Sequence, residues 1–112
     1  MTDPMLDLLD EAVTILRTRL ADSLSGEQRY LALLTANAVA TAGREARIRE
    51  RLEEVRKRID VPVADIRNGR HDGDGALYDR LREHVILRAW IADPATLSDE
   101  ERAIVSGIVS GP

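Results

Sequence analysis

The sequence predicts an all-α protein, a compact bundle of four to five helices with one long central helix. Three observations point there. Apolar residues recur at three- and four-residue steps with no two-residue alternation anywhere, so no strand is expected. Helix-start signals precede several of these stretches. From Glu27 to Ile59 there is no proline and a single glycine, Gly43.

The first helix opens at Thr2-Asp3-Pro4, with Asp3 as N-cap and Pro4 at the first helical position. Leu6, Leu9, Val13, Leu16 and Leu20 form its apolar stripe, widened by Leu8, Ala12 and Ile15, and it should end near Asp22. Ser25 to Gln28 has the spacing of a capping box for the second helix. A straight helix over 27–59 would run ~50 Å, longer than the roughly 35 Å expected across a compact chain of this size. It is therefore expected either to break at Gly43 or to project. Its halves differ. Tyr30 to Ala42 is apolar almost all round, as in a buried helix, whereas Arg44 to Arg58 is charged with one seam at Ile48, Leu52, Val55 and Ile59.

Asp60 is expected to cap a short third helix over Val61 to Asn68, stopped by Gly69. After the polar loop Arg70 to Gly75, Asp74 caps a fourth helix that carries Leu77, Leu81 and Val85 on one face and stops at Asp93-Pro94. A second capping box, Ser98 to Glu101, opens a fifth helix with Ala103, Ile104 and Ile108. One domain over 1–112 is expected, with 95–112 a loosely attached tail helix.

Composition narrows function. The chain has 112 residues, net charge −4, no cysteine and three aromatic residues, Tyr30, Tyr78 and Trp90. Thiolate chemistry and disulfides are excluded, and the negative charge disfavours nucleic acid as a partner. No apolar run is long enough for a membrane span. Met1 to Leu9 lacks a basic start and holds Asp3 and Asp7, so no secretory signal is read there and a cytoplasmic location is expected.

No catalytic residue, metal site or cofactor is expected. Asp72, Asp74 and Glu83 fall at positions 1, 3 and 12 of a calcium-loop template, but Ala76 and Leu77 stand where a ligand and the obligatory glycine belong. Asp74 is better read as a helix cap. His71 and His84 are the only histidines and belong to no metal-binding spacing. No glycine-rich phosphate loop is present. The second half of the long helix is the strongest candidate interface: Arg44, Glu45, Arg47, Ile48, Arg51, Leu52 and Val55. Its seam needs an apolar neighbour that the fourth helix supplies only in part, and its arginines could pair with acidic groups or with each other's glutamates. Asn37, inside the apolar half, needs a hydrogen-bond partner.

Four segments together resemble a known family: Asn37-Ala38-Val39 with Arg44-Glu45; Ile66-Arg67-Asn68-Gly69 with Asp72; the Leu77/Leu81 helix; and Arg88 to Pro94. The resemblance, over about Leu6 to Pro94, is to bacterial small helical proteins of uncharacterised function that accompany aminoglycoside-kinase-type phosphotransferases. That family includes the small subunit of the levulinate-pathway hydroxyacyl-CoA kinase. The resemblance implies a non-catalytic accessory subunit with a phosphotransferase-family partner, the nucleotide and catalytic residues lying in that partner. It singles out Asn37, Arg67, Gly69 and Asp72, with Arg44 and Glu45, as interface or structural positions. Where the family has a Lys-Leu pair before a final Asn-Pro, this chain has Arg88 to Ala92 and then Asp93-Pro94. Two alternatives stay open: a stand-alone module for an acyl-CoA or other anionic ligand, and a homo-oligomer.

Overall fold

The structure is a computed structural model and describes residues 3–109; Thr2 of the expected helix start and the last three residues of the tail lie outside them. Five α-helices are present among these residues and no strand. Helix α1 covers Pro4–Thr14, continues through a π-helical stretch, Ile15–Leu20, and closes with Ala21–Ser23. The others are α2 (Gly26–Arg58), α3 (Val63–Arg67), α4 (Gly75–Ala92) and α5 (Asp99–Val109), with a 3₁₀ turn at Pro94–Thr96. The residues group into two units, one up to Arg47 and one from Ile48 onward.

In the first unit α1 and the first half of α2 form an antiparallel hairpin. Asp3 caps α1 through its side chain, which accepts from the Met5 amide at 2.9 Å. The π stretch changes which residues face α2. At 3.6 residues per turn, Ala21 would stand about 80° round the helix from Val13. The wider π turn brings it back, and both Val13 and Ala21 are buried. The Thr18 hydroxyl donates to the Thr14 carbonyl at 2.7 Å where the stretch begins. Leu20, expected in the stripe, is correspondingly 44% exposed. The π turn rotates it out.

Helix α2 does not break at Gly43; it runs unbroken for 33 residues. Gly43 is buried against α1, and a methyl group added there would meet Leu9 Cδ1 at 4.0 Å, an ordinary contact. Gly43→Ala should therefore stabilise the protein by about 0.5–1 kcal/mol, the helix-interior penalty of glycine. Urea unfolding followed by circular dichroism checks it, with a higher midpoint at unchanged slope expected.

In the second unit Ile48, Leu52 and Val55 of α2 form one core with Ile86, Leu87 and Ile91 of α4, Leu97, and Val105 of α5. Ile59, Trp90, Ile104 and Ile108 pack against it. The segment expected as a loose tail thus supplies two core residues. Its capping box forms as read: Ser98 N–H donates to Glu101 Oε1 at 2.8 Å, and Glu101 N–H to Ser98 Oγ at 3.1 Å. The bond from the Ser98 amide is the largest cause that holds the Glu101 carboxyl below its usual pKa. Ala103 faces solvent, and Val105 takes the inward place beside Ile104.

Helix α3 starts later than Asp60 would place it. Val61 precedes a proline, which keeps it out of the helical region. Pro62 is the N-cap and makes no side-chain cap bond. Its carbonyl accepts from the Asp65 amide at 3.0 Å. On α4 the inward residues are Leu77, Ile86, Leu87 and Ile91, while Val85, expected beside Leu77, is exposed.

Candidate functional site

The candidate interface on α2 divides into three groups. Ile48, Leu52 and Val55 are 1%, 4% and 1% exposed. They are core residues and offer nothing to a partner; the apolar neighbour the seam needed is α4 and α5 of the same chain. Arg47 and Arg51 are engaged within the chain. Arg47 pairs with Asp10 of α1. Arg51 donates through Nε to Glu83 of α4 at 2.8 Å and lies 3.4 Å from Glu54. The hydrogen bond to Glu83 is the largest of the effects that raise the Arg51 pKa. Arg44 donates to Thr41 Oγ1 at 3.3 Å, and Glu45 is exposed.

The charged flank is mostly self-paired, as the i,i+3 and i,i+4 spacing allows: Arg56 with Glu53 at 3.2 Å and Arg58 with Glu54 at 2.8 Å. Such exposed pairs add little stability. They do compete with any acidic partner for the same guanidinium groups.

Among the positions singled out by the resemblance, Asn37 is a bridge residue and Gly69 and Asp72 are turn residues. Asn37 accepts from Arg17 Nη2 at 3.0 Å and so ties α2 to α1. Gly69 stops α3 with φ +76°, and a methyl group there would come within 2.9 Å of Asp72 Oδ2. Only glycine suits that backbone with the Asp72 carboxylate lying over it. Arg67 is exposed in the last turn of α3.

The His71–Asp74 loop is also accounted for. Asp74 Oδ1 accepts from the Leu77 amide at 3.0 Å, capping α4, and its Oδ2 lies 3.4 Å from His71 Nδ1. The backbone bond is the larger cause of its lowered pKa. Glu83, on α4, pairs with Arg51 of α2. No cluster of three His, Asp or Glu suited to a metal occurs among the described residues.

Two surface features were not read from the sequence. One is a groove of about 340 Å³ in the second unit, lined by Tyr78, Leu81, Arg82, Val85, Ile86 and Glu101. Tyr78 and Val85 are 66% and 65% exposed. Of Leu77, Leu81 and Val85, which share one face by spacing, only Leu77 is buried. The signal that could have found the groove is Tyr78-Leu81-Val85, an i, i+3, i+7 stripe with a charge at Arg82. The other is the outer side of α2 between Tyr30 and Ala42, which carries apolar side chains with no cover.

No protein-family model, curated protein or solved structure matches this chain.

Proposed function

We propose that this chain is a non-catalytic helical subunit that works by docking on another protein, and that its partner is an aminoglycoside-kinase-like phosphotransferase acting on a hydroxyacyl-CoA. The partner class comes from the resemblance over Leu6 to Pro94. The observation that carries the docking is the Tyr78–Leu81–Val85 groove. It has an apolar floor and a rim of both charge signs, Arg82 and Glu101. That is how a protein interface is built: desolvated aromatic and aliphatic groups give affinity, and rim charges choose the partner. Burying Tyr78 there would supply the kind of aromatic anchor that dominates binding.

The test is co-purification. Co-expressed with the phosphotransferase, the tagged chain should retain it, and Tyr78→Ala with Val85→Glu should release it without loss of helical signal. Failure of the parent chain to retain the enzyme at low salt sinks the reading.

A second reading has its own observation. Arg56 and Lys57 line a cleft of about 540 Å³ with Ile59, Leu81 and His84. Cations beside an apolar floor suit an anion with an apolar body, as in an acyl-CoA. Glu53 and Asp60 line the same cleft and oppose it. Calorimetric titration with an acyl-CoA separates the two readings.

A further inference from the structure

Glycine directly follows asparagine or aspartate at three places in this chain, and all fall in one stretch: Asn68-Gly69, Asp72-Gly73 and Asp74-Gly75. A glycine there leaves its backbone nitrogen unshielded and its backbone free to turn. The nitrogen can then reach the preceding side-chain carbonyl carbon and close a succinimide ring. The structure separates the three. Asp74 is committed: its Oδ1 accepts from the Leu77 amide at 3.0 Å and its Oδ2 lies 3.4 Å from His71 Nδ1. Asp72 presents a carboxylate, a poorer electrophile than a carboxamide, and its Oδ2 packs over Gly69. Asn68 carries a neutral carboxamide and is exposed, and its side chain makes no hydrogen bond among the described residues.

We propose that Asn68 is a site of self-modification, where the chain deamidates through a succinimide closed by Gly69. This does not rest on the docking reading and needs no partner. The Gly69 nitrogen attacks Asn68 Cγ, gives up its proton and forms the new C–N bond. The carboxamide nitrogen leaves with a proton as ammonia. Water then opens the ring at either carbonyl. One opening leaves aspartate at position 68; the other routes the main chain through the side-chain carbon and leaves isoaspartate. Nothing is oxidised or reduced, and water is the only co-reactant.

The fold sets how readily this happens. Asn68 stands at φ −85° and ψ 4°. Gly69 N–H donates to the Ile66 carbonyl at 3.1 Å, and Arg70 N–H to the Asp65 carbonyl at 3.0 Å. Ring closure needs the Gly69 nitrogen turned toward Cγ, so ψ must change and the bond to Ile66 must open. Little opposes that opening. Helix α3 has five residues, no buried side chain and no side-chain cap at its start. A segment with so few apolar contacts opens locally at low free energy. The product then disfavours closing. Isoaspartate lengthens the main chain at the end of α3. Either product adds a negative charge at a helix C-terminus, where the dipole opposes it, and the Asp72 carboxylate already lies over the next residue.

Peptide mapping of the full chain tests this. Asn37 and Asn68 are the only asparagines. Asn37 precedes alanine inside α2 and accepts from Arg17, so it serves as the internal control. The folded chain is held in mildly alkaline buffer, cut after glutamate and weighed. The fragment between Glu54 and Glu83 should gain the mass of an amide-to-carboxyl exchange, faster as pH rises, because the Gly69 nitrogen attacks in its deprotonated form. The fragment holding Asn37 should not. Isoaspartate, detected by enzymatic methylation, should appear with the gain and vanish in Asn68→Gln, with helical circular dichroism retained. The mass reading on the parent chain stands whether or not that variant folds. A folded chain that stays unmodified while the urea-unfolded chain reacts overturns the proposal. So does isoaspartate that persists undiminished in Asn68→Gln, which would place the chemistry at Asp72 or Asp74.

Discussion

Leu87→Ala should cost about 2–5 kcal/mol of stability, among the largest effects a single change can have here. Leu87 is wholly buried in the cluster that joins α2, α4 and α5. Truncation removes the transfer energy of its methyl and methylene groups and leaves a cavity that neighbouring helices close only in part. Against a total stability of roughly 5–15 kcal/mol for a domain, that is a large share. Urea unfolding monitored by helical signal measures it. Val105→Ala, in the last helix and equally part of that core, should move the midpoint in the same direction. By contrast Leu34→Ala, on the bare face of α2, should change monomer stability by less than about 0.5 kcal/mol. A loss at Leu34 comparable to that at Leu87 would mean that the side of α2 carrying Leu34 is not bare.

Arg51→Glu is the second change expected to have a large effect. Arg51 lies between Glu83, whose side chain is 20% exposed, and Glu54. Reversal would gather three carboxylates where one ion pair now joins α2 to α4. Arg51 itself is 34% exposed, so solvent screening moderates the loss to about 1–2 kcal/mol. The Arg51 guanidinium, its pKa raised chiefly by the Glu83 hydrogen bond, stays charged at every accessible pH. Adding Glu83→Arg to Arg51→Glu should restore most of the loss by recreating the pair in reverse. A swap that recovers nothing would show that Arg51 matters through its packing stem alone.

The docking region shows how far sequence reasoning reached. The spacing of Ile48, Leu52 and Val55 calls for an apolar cover of which α4 alone supplies part, and Leu97 and Val105 of the same chain supply the rest. Arg47 and Arg51, expected at an interface, are instead paired within the chain. Their partners Asp10 and Glu83 lie 37 and 32 residues away, beyond any local rule. Asn37 needed a hydrogen-bond partner, and Arg17 provides it from the other helix of the hairpin.

Local chemistry determined the helices and most of their ends. Asp3, Asp74, Gly69, Asp93-Pro94 and the Ser98–Glu101 box act within a few residues through one or two hydrogen bonds or a fixed φ, so their effect is written in the chain itself. What only the tertiary structure decided was which apolar stripe each neighbour covers. Periodicity states that a face is apolar, and it is silent on who packs against it. The π stretch that turns Ala21 inward and Leu20 outward, the unbroken α2 with Gly43 against Leu9, and the exposure of Tyr30, Leu31, Leu34 and Val85 all follow from helices meeting across long sequence separations. Burial of apolar surface is non-directional and depends on whichever partner arrives, so these outcomes could not be set by any one segment alone.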